Sequence, residues 1–258
     1  MQLTQDAEPL AYDIAFALVD ERPGLRDLES RASVVCRKLR ALAVVVLLTR
    51  ADVARFHANL LAAAEMRRDY LAAAARAPSL AEAGREFAAG RSAGLFDALA
   101  AGALVLGREI VSLSPAQWRQ DCEYEDDFCW ARLVGIVVQD AASTSDEAAR
   151  LLARFEASLQ GQGSARLAVA RALLQRDATA FGPAFEALLA EHAQEIDDRV
   201  EAGEMDDPVV LAERRVFVEG LAVLALAGAC SLPTDHEYLY CPSMGRVSLG
   251  RLQSHAAS

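Results

Sequence analysis

Lysine is almost missing from this chain: Lys38 is the only one in 258 residues. A phosphate-binding loop ending in Gly-Lys-Ser/Thr is therefore absent, and a Schiff base could form only at Lys38. That lysine sits between Arg37 and Arg40 on what reads as a solvated helix face. The five cysteines (Cys36, Cys122, Cys129, Cys230 and Cys241) never form Cys-x-x-Cys, and Cys122 and Cys129 have no second pair to complete a zinc site. Nothing resembles a secreted disulfide framework, so the thiols are expected to stay reduced in the cytoplasm. His57, His192, His236 and His255 are isolated, without His-Glu-x-x-His or Glu-x-x-His. No metal or cofactor is expected. His192 falls on an apolar helical stripe and reads as a core histidine.

Aromatic residues are only 6% of the chain, too few to line a sugar-binding cleft around paired carboxylates. Gly161-Gln-Gly-Ser follows a helical pattern and is too short for a dinucleotide fingerprint. No catalytic residues are assigned, and the chain is not read as an enzyme. The beginning, MQLTQDAEPL, carries acids where a signal peptide would carry basic residues. The longest mostly apolar stretches, Leu39–Leu48, Leu95–Leu106 and Leu221–Leu232, are shorter than the roughly 18–20 residues that span a bilayer. They read as buried helices of a soluble, cytoplasmic protein.

What is abundant is alanine and leucine within a 53% hydrophobic composition, and both favour helix because they lose little side-chain entropy there. Thr49 with Asp52, Ser79 with Glu82, Ser114 with Gln117 and Thr144 with Glu147 have the spacing of helix-start signals. Pro115 and Pro208 are placed at first helical positions, and Gly161, Gly163 and Pro233 at stops. Phe181, Phe185, Leu188, His192, Ile196 and Val200 form one stripe at helical spacing. Val216–Ala229 is apolar nearly all round, as in a central helix; Glu219 either pairs with Arg215 one turn back, the preferred reading, or is a buried polar anchor that fixes the final helices, and Gly220 lets another helix approach closely. The expectation is an all-α fold of about nine or ten antiparallel helices, without substantial sheet. It would form a single domain over 1–258 with a weak seam near Asp140–Asp146. Only Tyr238–Cys241 looks extended.

Charge is uneven. The net charge of −11 disfavours nucleic acid and anionic membranes as partners and favours a basic protein. Asp121, Glu123, Glu125, Asp126 and Asp127 crowd into seven residues beside Tyr124 and Trp130. Glu191, Glu195, Asp197, Asp198, Glu201, Glu204, Asp206 and Asp207 form a second run, with Arg199 the only arginine inside it. These fifteen residues are the candidate partner-binding set, with Trp130 as an aromatic anchor or, equally, a core residue.

Residues Leu151–Val247 also carry a resemblance. The segment Phe181-Gly-Pro-Ala-Phe-Glu-Ala-Leu-Leu-Ala-Glu-His, the late helix from Val218, and the ending Asp235-His-Glu-Tyr-Leu-Tyr-Cys-Pro resemble the bacterial immunity protein family numbered 49. That resemblance implies an all-helical antitoxin-like protein that protects its cell from a polymorphic toxin, delivered by contact or type VI secretion. The partner implied is a toxin domain, chiefly a nuclease, whose basic face the carboxylates would meet. A helical-repeat adaptor without a toxin partner is the alternative.

Overall fold

A computed structural model describes residues 10–15, 24–77, 83–139, 146–204 and 207–246. The expected start signals at Ser79, Glu82 and Thr144, most of the Asp140–Asp146 seam, Asp206 and His255 lie outside the described residues. Within them every regular element is helical, and Tyr238–Cys241 is a tight turn with one isolated bridge between its ends.

Helix α1 (Leu25–Ser30) runs through a π-helical turn at Arg31–Val35 into α2 (Cys36–Arg50). It stops where Ala51 takes the left-handed conformation, with φ of 51°. Asp52 then caps α3 (Val53–Ala74) by accepting from the Arg55 amide at 2.9 Å. Thr49 is not a cap; its hydroxyl donates back to the Val45 carbonyl at 2.7 Å in the last turn of α2. The expected Leu95–Leu106 helix is two helices, α4 (Ala93–Ala100) and α5 (Leu104–Leu113), broken at Gly102 with φ of 75°. Ser114 ends α5, its hydroxyl donating to the Ile110 carbonyl at 2.8 Å, so Pro115 follows a helix rather than starting one.

The second half contains α6 (Glu125–Val138), α7 (Asp146–Ser158), α8 (Ala165–Gln175), α9 (Ala178–Glu201), α10 (Pro208–Glu213) and α11 (Val218–Ala229). Asp207 caps α10 with Pro208 at its first position, as the spacing predicts. The α9 stripe is buried from Phe181 to Ile196.

Two short helices, one almost fully and one mostly buried, organise the rest. Residues Gly94–Ala100 of α4 are all buried, and α4 packs on α11, α3 and α5. A Cβ at Gly94 would lie 2.5 Å from the Arg67 Cβ, so only glycine permits this approach to α3. In α11, eight of twelve residues are buried, and full burial of a leucine or valine contributes about 1.5–3 kcal/mol. The close neighbour at Gly220 is not a helix: a Cβ there would meet the Cys241 Sγ at 2.7 Å and the Phe217 ring at 2.6 Å. The last segment is fixed by the Phe217 amide donating to the Tyr240 carbonyl at 2.8 Å and by Tyr238 edge-on to Phe185.

Candidate functional site

Residues 83–92 have no regular structure of their own, so their backbone groups must find partners elsewhere. The Tyr70 hydroxyl donates to the Ala83 carbonyl, and the buried Arg67 guanidinium donates to the carbonyls of Glu86 and Ala88. Arg119 donates to the Gly84 carbonyl at 2.7 Å, and Glu123 accepts from the Gly90 amide. This bracing holds Gly90–Ala93 against the side of a cleft of about 300 Å³. Helices α2, α9 and α10 and the start of α11 complete its walls, and Phe96 stacked on Trp130 contributes apolar surface.

Two charge networks, one buried and one half-buried, stiffen the cleft. Arg40 holds Asp97 bidentately, Nε and Nη2 each 2.6 Å from a carboxylate oxygen, and Asp97 is 0% exposed. Arg40 therefore belongs to the interior, not to a solvated face: an aspartate inside an apolar helix requires a cation, and α2 supplies it. In the second network Arg166 donates through Nε and Nη2 to Glu219, at 2.9 and 3.0 Å, and through Nη1 to Asp127 at 3.1 Å. Trp130 Nε1 adds a donor to Glu219 at 3.0 Å. The expected Glu219–Arg215 pair gives way to this arrangement, because Arg215 is exposed while Glu219 points inward. Burial pushes the Asp127 carboxyl above its ordinary range, against the pull of Arg166.

A second hollow of about 240 Å³ adjoins the cleft and shares Arg166, His192, Glu195 and Phe217 with it. Asp126, Glu191 and Glu195 stand around it over Phe155, Leu188 and Phe217. His192 is a core histidine: 8% exposed, stacked on Phe217 at 4.0 Å, with Nε2 3.2 Å from the Glu213 carbonyl oxygen. Burial lowers its pKa. Among the described residues no three His, Cys, Asp or Glu side chains converge to hold a metal. All five cysteines are free thiols.

The fourteen candidate residues that are described, all but Asp206, separate into distinct environments. Asp121 and Tyr124 are exposed, whereas Glu123 turns inward to the amides of Gly90 and Arg119. Glu125 pairs with Arg154, Asp127 with Arg166, and Asp126 lines the second hollow. Trp130, considered as an anchor, is 1% exposed and belongs to the core. Glu191 accepts from the Ala165 amide at 2.8 Å. Glu195, Asp197 and Glu201 are exposed; Asp198 accepts from Gln194, Glu204 pairs with Arg199, and Asp207 is the α10 cap. Thus Asp126 and Asp127 meet Glu191 and Glu195 around Arg166, while Asp121, Asp197 and Glu201 line neither hollow.

The arginines of the cleft escape a search by charge density because, apart from Arg37 and Arg40 on α2, they come from separate elements; Arg40 and Asp97, charges inside apolar runs, were the available signal. One motif has the wrong setting. Gly90-Arg91-Ser92-Ala93-Gly94 has the spacing of a nucleophile elbow, but Ser92 has φ of −86° and ψ of 1° and precedes a helix without following a strand.

A family model described as Immunity protein 49 matches residues 80–244. The chain belongs to the immunity protein 49 family. The match is broader than the Leu151–Val247 segment and takes in the braced loop, α4 and both hollows except for the α2 wall. Neither a curated protein nor a solved structure matches the chain. Family membership implies an immunity protein directed against a toxin. Among the described residues no helix is long and apolar enough to cross a membrane.

Proposed function

We propose that this immunity protein neutralises a basic toxin domain, a nuclease, by binding it in the cytoplasm through the acidic face around the second hollow. The observation that carries this reading is the convergence of two sequence-distant acidic segments, Asp126 from one and Glu191 and Glu195 from the other, above an aromatic floor. A lysine or arginine of the toxin could lay its aliphatic stem on Phe155, Leu188 and Phe217 and set its charge among the three carboxylates. Arg166 does not cancel that field, because Glu219 and Asp127 already engage it. Asp121, Asp197, Glu201 and the remaining exposed carboxylates steer the encounter from outside the hollow. Contact-dependent or type VI delivery of the toxin fits the same reading. The protein performs no catalysis, and its charge of −11 keeps it from nucleic acid.

The test uses a toxin domain against which the protein protects cells. The triple variant Asp126→Lys/Glu191→Lys/Glu195→Lys, shown to be folded, should bind with an on-rate about tenfold lower and a weaker salt dependence, because interface charges act chiefly on encounter. Unchanged association and unchanged protection of cells would refute the acidic-face reading.

A further inference from the structure

The larger cleft differs from the hollow beside it in having spare donors rather than spare acceptors. Among the described residues Arg91 has no ion pair and Arg37 approaches only Asp207, at 3.8 Å. Among the described residues Arg40 spends Nε and Nη2 on Asp97, leaving Nη1, and Arg199 spends Nε and Nη1 on Glu204 and Glu213, leaving Nη2. The carboxylates of the lining are engaged in turn, Asp127 and Glu219 by Arg166 and Glu213 by Arg199; Glu195 stands where the cleft joins the acidic hollow. Arg37 and Arg91 are exposed at the cleft and Arg40 and Arg199 partly buried, so their open donor edges together suit one acceptor-rich group.

We propose that this cleft receives an aspartate or glutamate side chain of the toxin, so that one toxin segment crosses the trench with an acid at the Arg37–Arg91 end and a base at the Asp126–Glu191 end. This rests on the reading that the toxin docks on this face, and adds which chemistry the toxin presents and in which direction. A carboxylate fits the planar donor edges of arginine bidentately. Its methylenes meet the Phe96–Trp130 stack, and the volume of about 300 Å³ admits a side chain with flanking backbone. Arg37 and Arg40 lie on α2, outside the family-matched span of 80–244, so half of the donor set belongs to this chain's N-terminal part.

Two measurements on the full chain test this. Capped peptides Gly-Leu-Glu-Leu-Gly, Gly-Leu-Gln-Leu-Gly and Gly-Leu-Lys-Leu-Gly are titrated while the arginine Nε–H NMR signals are followed. The glutamate peptide should shift the signals of Arg37, Arg40, Arg91 and Arg199 and bind about tenfold more tightly than the other two. Arg37→Glu/Arg91→Glu should abolish that preference without lowering the melting temperature. No shift at millimolar peptide, equal binding of the glutamine or lysine peptide, or tighter binding of inorganic phosphate overturns the carboxylate assignment. With the toxin domain used for the acidic-face test, the same double variant should weaken affinity about tenfold. If it binds like wild type while the lysine triple variant fails, this inference falls and the acidic-face reading stands; if neither variant changes affinity, both fall.

Discussion

The two acidic segments look alike in sequence and are opposites in the fold. In Asp121–Asp127 the chain itself consumes three of five carboxylates: Glu123 on the amides of Gly90 and Arg119, Glu125 on Arg154, and Asp127 on Arg166. In Glu191–Asp207 the carboxylates lie mainly on the outer side of α9 and in the turn after it, with Glu195, Asp197 and Glu201 exposed. The first segment is mostly turned inward, with Asp121 its one exposed carboxylate; the second is mostly exposed, although Glu191, Asp198, Glu204 and Asp207 also hold partners within the chain. Charge density along a sequence therefore overstates charge available at a surface, because an acid beside a helix start or an irregular loop is recruited by the nearest orphan amide or arginine.

The largest expected effect concerns the ring that the first segment places inside. Trp130→Ala should destabilise by about 4 kcal/mol, since a fully buried indole leaves a cavity and frees Glu219 of a donor; urea unfolding measures it. A change below about 1 kcal/mol would return Trp130 to the surface and undo the contrast.

Next comes Glu219→Ala, at about 3 kcal/mol, because it strands both Arg166 and the Trp130 N–H in a largely buried setting. The partial exposure of Arg166 keeps the value at the lower end of buried-pair losses.

The contrast itself is sharpest in a paired measurement. Glu123→Ala should cost about 1–2 kcal/mol by leaving the Gly90 and Arg119 amides unpaired, whereas Asp197→Ala and Glu201→Ala should change stability by less than about 0.5 kcal/mol. Equal costs from the two segments in chemical denaturation would erase the distinction.

A smaller effect is expected with pH. His192 has a folded pKa held below its ordinary 6.5 by burial, so the unfolded chain binds the proton first as pH falls. Its neutral form supports the fold fully above 6.5, and that support is lost as pH drops through 6.5 toward the lowered folded value. The stability of His192→Phe should fall less steeply than that of wild type between about pH 7 and pH 5.5.

The smallest effect is one of reactivity. Burial pushes the thiols of Cys36 and Cys241 up to about 12 and that of Cys129 to about 11, so iodoacetamide should label half-buried Cys122 and Cys230 first in the native protein. Mass spectrometry of the alkylated protein reads the order directly.

Local chemistry was enough for much of this protein. The all-helical character, the Asp207–Pro208 start, the buried stripe of α9 and the enclosed α11 follow from propensity and period, which depend on neighbours three or four residues away. The resemblance over Leu151–Val247 pointed to the family, and the family match extends it to residues 80–244. Other assignments depended on distant partners. Thr49 and Ser114 have cap spacing but close the helices before them, because a hydroxyl can donate backwards to a carbonyl as readily as accept from an amide ahead. Glu219 has Arg215 one turn away and chooses Arg166, fifty-three residues distant, because that guanidinium is brought to it inside a site that also holds Trp130. Only tertiary packing decided which of thirteen carboxylates remain for a partner, since an ion pair forms between whichever charges the fold leaves adjacent and poorly hydrated, and no sequence spacing records that.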